Sequence, residues 1–261
     1  MNKNIKGLLF AVSAVLLVVL LYSGYKLTAT IHEYRVADRY YDKQAEQYAS
    51  YAPTPEPDGP NGHPDDWSAL HEASPREIDF DALLATCPDV RGWLYCADTV
   101  IDYPVLQSKD NDYYLHRFMD GSVNANGSLF VDFRCMGDFT GRNTVIYGHH
   151  MQNGSMLASL VNYRQQEYYD AHPIMYLNTP QGDYRLEIFS GFVTGDNSRV
   201  YSFYFANDES FSEWLTLMAG YSEFDCNVSV GPEDRIVTLS TCTYDYNNAR
   251  YVVLAKLVPL Q

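Results

Sequence analysis

The stretch Ile236–Val253, IVTLSTCTYDYNNARYVV, contains two β-type runs separated by a polar turn. Runs of β-branched and aromatic residues on either side of an Asp/Asn cluster predict two strands joined by a loop. The first strand would end at Cys242 and the second would begin at Arg250, so antiparallel pairing would bring these two residues side by side. A guanidinium lowers the pKa of a neighbouring thiol, and only the thiolate is a nucleophile. The stretch leaves two interpretations open, a reactive thiol or a structural cysteine beside an arginine at the rim.

The composition of the chain argues against several classes of protein. A formal net charge of -15 over 261 residues does not fit a nucleic-acid binder, which needs clustered Lys and Arg. The 23 tyrosines fit a β-rich fold or a surface that binds peptide or glycan. The five cysteines leave at least one thiol unpaired. Because no CxxC pair occurs, a zinc ribbon has no support.

The N-terminus carries a long apolar run. Met1–Lys6 is a short polar tail, and Gly7–Leu27 is uncharged except for Lys26 near its end. About 20 apolar residues span the hydrocarbon core of a bilayer, which predicts a single transmembrane anchor over residues 7–27. A cleaved signal peptide is the alternative, although no small-x-small cleavage site follows. Basic residues lie on both sides of the run, so the positive-inside rule does not give its orientation.

Residues 28–76 are predicted to form a helical stalk followed by a linker. Thr30–Tyr51 has apolar residues at three-to-four spacing, which indicates a stalk helix or the first helix that packs on the domain. Ala52–Pro64, APTPEPDGPNGHP, is too rich in Pro, Gly and Asp for regular structure. A short amphipathic helix over Ile78–Thr86 then opens the domain predicted for residues 77–261.

From Gly92 onward the pattern is that of short strands separated by turn residues. Together with the two strands around Cys242, about eight strands are predicted, which is typical of a barrel or a sandwich. One helix interrupts them before the Cys242 strand, because Asn207–Tyr221 places its large apolar side chains on one face. The other predicted strands are Trp93–Tyr95, Val100–Leu106, Gly127–Asp132, Asn143–Tyr147, Ile174–Leu177 and Tyr184–Phe189.

A thiolate nucleophile needs a proton partner, and the seven histidines supply the candidates. His149 and His150 follow a predicted strand through a single glycine, so both imidazoles would stand at a strand end. A histidine there is more often structural than catalytic, and a zinc site at this pair would lack a third ligand placed by spacing. The other histidines lie in polar, linker or membrane-proximal contexts: His32, His63, His71, His116 and His172.

These residues belong to an ordered set of motifs that resembles the signature of class B sortases. TLSTC at Thr238–Cys242, the downstream Arg250 and IYGHHM at Ile146–Met151 carry the likeness most clearly. One LxTC string is a weak signal, whereas the whole set in this order is a strong one. The likeness covers nearly all of Ile78–Pro259. It extends through CPDVRGWLY at Cys87–Tyr95, TVIDYPVLQSKDNDYYL at Thr99–Leu115, GSLFVDFR at Gly127–Arg134, NGSM at Asn153–Met156, HPIMYL at His172–Leu177 and YRLEIFSGF at Tyr184–Phe192.

The resemblance implies a cysteine transpeptidase on a mainly β fold. That fold would be an eight-stranded sortase β-barrel, with one or more N-terminal helices and a helix inserted before the cysteine strand. Cys242 matches the nucleophile, Arg250 the arginine that stabilises the transition state, and His149 the acid/base histidine. The family motif usually has Asn where this chain has His150, so His150 is the alternative imidazole.

The same motifs suggest where a peptide would bind. Asn111, Leu115, Tyr147 and Ser240 lie in segments that resemble the substrate-binding groove, although a core or turn position is the alternative for each. The resemblance calls for no metal and no cofactor.

The implied reaction cleaves the C-terminal sorting signal of a secreted protein after a threonine. It then joins the protein to an amine of peptidoglycan or of its lipid-linked precursor. The catalytic domain would lie outside the cell, anchored in the membrane of a Gram-positive-type envelope by the N-terminal helix. Two alternatives remain, a cell-wall Cys/His hydrolase that resolves the thioester with water and a non-catalytic binding module on the same fold.

The remaining cysteines have no predicted catalytic part. Cys87 and Cys96 stand where the class B pattern does not usually have Cys, and a disulfide between them is permitted outside the cell. The sequence does not give the geometry of such a bond. Cys135 and Cys226 are expected to behave as small, partly buried residues.

Overall fold

The computed structural model describes residues 3–52 and 73–260. The chain forms two compact units, Met1–Tyr40 and Tyr41–Gln261. Most of the predicted Pro/Gly linker lies outside the described residues, as do two of the histidines predicted to be exposed. The second unit contains every predicted site residue.

The first element is helix α1 (Lys3–Tyr48), which continues without a break from the predicted anchor into the predicted stalk. Its Leu9–Tyr48 part contains an 18-residue window with a mean hydropathy of 1.9, none of which is buried. By length and composition, α1 is therefore compatible with a membrane anchor. Strand β1 (Ala49–Tyr51) follows directly and pairs antiparallel with β2 (Arg76–Ile78).

The end of α1 packs on the domain. The Tyr41 hydroxyl donates a hydrogen bond to the carbonyl oxygen of Gly127, and its ring meets that of Tyr103 edge to face at 4.9 Å. The hydroxyls of Tyr48 and Thr86 are hydrogen-bonded at 2.9 Å. The compact unit thus begins at Tyr41, earlier than the domain boundary predicted at residue 77.

Eight strands close into a β-barrel, which confirms the predicted fold. They are β3 (Val90–Tyr95), β4 (Asp102–Leu106), β5 (Leu129–Val131), β6 (Asn143–Tyr147), β7 (Ile174–Thr179), β8 (Gly182–Gly195), β9 (Ile236–Cys242) and β10 (Ala249–Pro259). Their order around the barrel is β10-β8-β7-β3-β4-β5-β6-β9.

Strand direction decides where the strand ends meet. The pairs β4–β5 and β6–β9 are parallel, and the other neighbouring pairs of the barrel are antiparallel. Because parallel strands end at the same edge of a sheet, the ends of β6 and β9 lie side by side, with Tyr147 opposite Ser240. The antiparallel return of β10 puts Arg250 opposite Cys242, as predicted. One edge of the barrel therefore gathers the residues that the sequence singled out.

In the described part of the chain, three short α-helices lie between the strands: α2 (Phe80–Thr86), α3 (Gln166–Ala171) and α4 (Asp208–Gly220). Helix α4 confirms the predicted helix before the cysteine strand. Asn207 caps it, because its side chain accepts a hydrogen bond from the backbone N–H of Ser210 while the Ser210 side chain bonds back to the cap. No pattern in the sequence predicts α3.

Helix α4 is held by its apolar face. Phe211, Trp214, Leu215 and Met218 are all buried, as predicted, in a cluster with side chains of β8 and β10 such as Val252. Burying one large apolar side chain contributes about 1.5–3 kcal/mol. This cluster fixes the segment between β8 and β9.

The five cysteines carry free thiols. The Cys87 thiol lies 3.8 Å from the Tyr114 hydroxyl, and the Cys96 thiol lies 3.9 Å from the carbonyl oxygen of Ile174. The disulfide that the sequence left open between Cys87 and Cys96 is therefore not formed. Burial raises the pKa of Cys96 to about 11, which keeps its thiol protonated and unreactive at neutral pH. Cys135 and Cys226 are partly buried, as expected.

Candidate active site

A cavity of about 210 Å³ opens at the edge where β6, β9 and β10 meet. All seven predicted site residues line it. The full lining consists of Asn111, Leu115, Phe130, Tyr147, Gly148, His149, Asp196, Tyr201, Ser240, Thr241, Cys242 and Arg250. One site thus combines residues as far apart as Asn111 and Arg250, which are separated by 139 positions in the chain.

The hairpin of β9 and β10 supplies the thiol and the guanidinium. Cys242 is the last residue of β9, and Arg250 is its cross-strand partner in β10. Ser240 shares a face of β9 with Cys242, because side chains two residues apart in a strand point the same way. The Arg250 Nη1 donates a hydrogen bond to the carbonyl oxygen of Ala249 at 3.1 Å. The guanidinium is therefore tethered at one nitrogen and keeps its other N–H groups for a ligand.

The backbone that follows β6 is hydrogen-bonded to β9, and this places His149. The Gly148 N–H donates to the carbonyl oxygen of Ser240 at 3.1 Å, and the Thr241 hydroxyl donates to the carbonyl oxygen of Gly148 at 2.8 Å. A Cβ at Gly148 would lie 2.4 Å from Leu129 Cδ2 and 2.7 Å from Leu157 Cγ, and both leucines are buried, so a larger residue would force these side chains to shift. The glycine between strand and histidine is thus a packing requirement of the site.

The His149 ring has one nitrogen occupied. Its Nε2 lies 2.7 Å from the carbonyl oxygen of Leu115. Because a carbonyl oxygen only accepts hydrogen bonds, Nε2 carries the proton, and Nδ1 is the nitrogen that can exchange one. Burial lowers the pKa of His149, the Leu115 contact opposes this, and the stacked ring of His116 at 5.6 Å lowers it further. The neutral imidazole is therefore favoured.

His150 points elsewhere. Its Nδ1 lies 2.9 Å from the backbone carbonyl oxygen of Cys242, and its ring packs 5.5 Å from that of Tyr244. His150 is not among the residues that line the cavity. Of the two adjacent imidazoles, only His149 reaches the cavity, while His150 supports the backbone of the cysteine.

Two of the predicted groove residues share a buried carboxylate. The Asn111 Nδ2 and the Tyr147 hydroxyl each donate to Asp132 Oδ2 at 3.0 Å. Burial alone would raise the pKa of Asp132, but hydrogen bonds from Arg134, Asn111 and Tyr147 together hold it below its usual value. Asp132 is therefore an ionised carboxylate that holds the side chains of Asn111 and Tyr147. The sequence analysis did not identify it. The available signal is a carboxylate that directly follows the apolar run Leu129–Val131.

The cavity is also lined by residues that the sequence did not reveal. Tyr201 and Asp196 come from the segment after β8, and the Tyr201 hydroxyl is hydrogen-bonded to Ser240 Oγ at 2.9 Å. Burial raises the pKa of Tyr201 to about 12, so it stays protonated. Within residues 3–52 and 73–260, no three His, Cys, Asp or Glu side chains are grouped so as to hold a metal ion.

The family of the chain follows from its similarity to known proteins. A family model described as Sortase domain matches residues 94–258, so the chain belongs to the sortase family. Sortase B of Listeria monocytogenes is 41% identical over 172 residues, which cover 65% of this chain and 70% of that protein.

Solved structures place the chain within the family. The structure of sortase B from Bacillus anthracis in complex with AAEK1 matches with a TM-score of 0.72 at 31% identity, over 88% of this chain and 99% of that chain. The Staphylococcus aureus sortase B–substrate complex matches with a TM-score of 0.67 at 33% identity, over 70% of this chain and 85% of that chain. The chain is a class B sortase, which is a cysteine transpeptidase.

Proposed function

We propose that this class B sortase cleaves a C-terminal sorting signal after threonine, holds the protein as a thioester on Cys242 and transfers it to an amine of the cell wall. The observation that supports this most is the shared cavity. Cys242, Arg250 and His149 line it together with the four residues predicted to bind the peptide.

In the first step, the Cys242 thiol gives its proton to Nδ1 of the neutral His149, and the resulting thiolate attacks the carbonyl carbon of the threonine. The electron pair of the carbonyl bond moves to the oxygen, and Arg250 donates hydrogen bonds to this oxyanion. Arg250 cannot also move the proton, because a guanidinium stays protonated. The proton transfers therefore belong to His149.

In the second step, the tetrahedral intermediate breaks its carbon–nitrogen bond. His149, as imidazolium, gives the Nδ1 proton to the leaving amine and becomes neutral. The acceptor amine then attacks the thioester, His149 takes up its proton, and the Cys242 thiolate leaves. Because burial lowers the pKa of His149, its imidazolium is a stronger acid toward the leaving amine than an exposed one.

The peptide groove is proposed to consist of Asn111, Leu115, Tyr147 and Ser240. Three of these side chains offer polar groups at the cavity, and Leu115 offers an apolar surface. A site with a few fixed polar groups in an apolar lining is typical of peptide and small-molecule recognition. Secreted proteins that carry a sorting signal would be the donors, and peptidoglycan or its lipid-linked precursor the acceptor.

The proposed placement puts residues 1–6 before a membrane span at residues 7–27. The stalk and linker predicted over residues 28–76 would connect this span to the extracellular catalytic domain at residues 77–261, with the end of α1 from Tyr41 onward packed on that domain. The unburied apolar window of α1 supports the span. Deleting residues 1–27 is expected to give a soluble protein that still cleaves the peptide, as a centrifugation assay with activity in the supernatant would show. An insoluble product would contradict this division of the chain.

The proposed reaction is tested by its product. Full-length protein in detergent micelles is incubated with sorting-signal peptides and with hydroxylamine or triglycine, and the products are separated by mass. Transfer of the peptide to the added amine is the expected result. Hydrolysis alone, with no transfer at any amine concentration, would reject the transpeptidation of a sorting signal in favour of a cell-wall hydrolase.

A further inference from the structure

Asp132 is a fully buried carboxylate that accepts hydrogen bonds from three other residues. It directly follows β5 and has none of its surface exposed. Its oxygens accept hydrogen bonds from Arg134 N at 3.0 Å, Arg134 Nε at 2.9 Å, Arg134 Nη2 at 2.7 Å, Asn111 Nδ2 at 3.0 Å and Tyr147 Oη at 3.0 Å. Asp132 itself does not line the cavity, whereas Asn111 and Tyr147 do.

The carboxylate decides which way these two side chains can bond. An ionised carboxylate only accepts, so the Tyr147 hydroxyl proton is committed to Asp132. Any further hydrogen bond of the Tyr147 oxygen must be one that it accepts. The Asn111 amide is fixed in the same way, because its Nδ2 donates to Asp132 while its Oδ1 accepts from the Phe133 N–H at 3.0 Å. Asp132 therefore decides which groups of Asn111 and Tyr147 can still donate or accept hydrogen bonds at the cavity.

The ion pair also contacts the segment that carries Tyr201. The Arg134 side chain is half exposed, and its guanidinium carbon lies 4.4 Å from the centre of the Phe203 ring. Phe203 belongs to the segment that carries Tyr201, whose hydroxyl is bonded to Ser240 in the cavity. A guanidinium over an aromatic face is attractive. The Asp132–Arg134 pair thus contacts both Tyr147 and the segment that carries Tyr201.

We infer that Asp132 is a positioning residue of the transpeptidase: it holds Tyr147 and Asn111 so that the Tyr147 hydroxyl accepts a hydrogen bond from an N–H of the bound peptide. The inference rests on the proposed role of the cavity as the peptide groove. Asp132 touches neither the thiol nor the peptide. Its removal should therefore weaken peptide binding and leave the reactivity of Cys242 intact.

Asp102 offers a matched control. It accepts a hydrogen bond from Trp93 Nε1 at 2.6 Å and forms an ion pair with Arg76. Like Asp132, it thus combines an aromatic side-chain donor with a guanidinium. Neither Asp102 nor its two partners, Trp93 and Arg76, line the cavity. Replacing Asp102 removes the same kind of contact without touching the proposed groove.

The experiment compares full-length wild type, Asp132→Asn and Asp102→Asn in detergent micelles, with a fluorogenic sorting-signal peptide. In Asp132→Asn, one carboxylate oxygen becomes an NH₂ group that cannot accept and the other loses its charge, so the hydrogen bonds from Tyr147 and Asn111 weaken and KM should rise roughly 10-fold, the effect of one lost charge-assisted hydrogen bond. The turnover number should change less than KM, and iodoacetamide should alkylate Cys242 at the wild-type rate. Asp102→Asn should lower the melting temperature and leave KM unchanged.

The inference is overturned if folded Asp132→Asn keeps the wild-type KM, or if Asp102→Asn raises KM as much. Wild type that cleaves no peptide would instead defeat the proposed function, so the two failures are distinguishable.

A second variant, Arg134→Met, keeps the inference testable if Asp132→Asn does not fold. It retains the carboxylate and removes its counter-charge. The titratable groups that face Asp132 are those of Arg134, Tyr147 and Cys135. Without Arg134, only the neutral Tyr147 hydroxyl and the neutral Cys135 thiol would remain. Burial should then raise the pKa of Asp132, so KM of this variant should climb as the pH is lowered from 7 to 5. A KM profile parallel to that of wild type would overturn the inference.

Discussion

Two carboxylates in one barrel differ in what they support. Asp102, the first residue of β4, accepts a hydrogen bond from Trp93, and Asp132, just after β5, accepts one from Tyr147. Each is also paired with an arginine. Trp93 is completely buried, so the first contact can only hold strands together. Tyr147 is half-buried and lines the cavity, so the second contact also shapes a site. The same chemical motif thus lies within a barrel wall in one case and beside the proposed peptide groove in the other.

The strand order explains this difference. Trp93 lies within β3, between Pro104 of β4 and Asn178 of β7, and both of its flanks are paired. Tyr147 is the last residue of β6, at the edge where the parallel strands β6 and β9 end together. Loops begin at this edge and leave space between them, whereas the middle of a barrel wall leaves none. We therefore expect substitutions at the cavity edge to change activity, and those at the β3–β4 wall to change stability.

The largest effect is expected at His149. His149→Ala should lose about 100- to 10,000-fold in turnover, the range for a missing general acid/base. His150→Ala should keep most of its rate, because its ring contacts the backbone of Cys242 and does not line the cavity. A peptide-cleavage assay on both variants checks this. The reverse ranking would mean that His150 is the catalytic imidazole.

Arg250→Lys should lose at least ~100-fold in turnover, the typical cost of one oxyanion donor. The fork of guanidinium N–H groups can bind the oxyanion while one of them stays on the carbonyl oxygen of Ala249, and an ammonium cannot reproduce this geometry. Iodoacetamide kinetics against pH should be nearly unchanged, because a point charge still lies beside Cys242. Near-normal turnover would leave Arg250 as a charge neighbour only.

On the β3–β4 wall, Asp102→Asn should lower the free energy of unfolding by about 3 kcal/mol, the cost of breaking a buried ion pair. Arg76, which is 8% exposed, would be left without its charge partner. The kcat/KM should stay at the wild-type value. Asp208→Asn is the matched control, because it also breaks an ion pair, the one with Arg142. The Asp208 side chain is 72% exposed, so this pair lies at the surface. Urea titration of both variants measures the difference, and equal losses would contradict the assignment.

The smallest effect is a pH dependence of stability. Burial lowers the pKa of His149 in the folded state, so between that pKa and the unfolded value of about 6.5 the unfolded chain binds more protons. Stability is therefore complete above about pH 6.5 and falls as the pH drops through the folded pKa. The melting temperature of wild type should decrease more steeply from pH 7.5 to 5 than that of His149→Gln. Equal slopes in the two proteins would show that His149 is not desolvated.

The strands, and the residues that come together at the cavity, could be predicted from the sequence because their signals are local. The β-branched runs gave the eight strands, and the hairpin around Cys242 placed Arg250 opposite it. Strand ends were less accurate. The predicted strand Tyr184–Phe189 continues to Gly195, past Gly191, which looks like a break. A Cβ at Gly191 would lie 2.9 Å from Phe224 Cε1, so this glycine serves close packing within the strand.

The residues that the sequence did not reveal depend on distant contacts. Asp132 meets Asn111 only because β5 closes the barrel between β4 and β6. Tyr201 reaches Ser240 only because the segment before α4 folds back over the cavity. The only local signal is that Asp132 directly follows an apolar run, and it does not reveal the partners, since hydrogen bonds between side chains remote in sequence are set by the packing of whole elements.

The central claim is that the sorting signal becomes attached to Cys242 as a thioester. Full-length wild type is mixed with the peptide, quenched in acid, digested and mapped by mass spectrometry. We predict an adduct that ends at the threonine, sits on Cys242 and is released by hydroxylamine, and we predict that Cys242→Ala has neither the adduct nor cleavage. An adduct on another cysteine, or substantial cleavage by Cys242→Ala, would contradict the account.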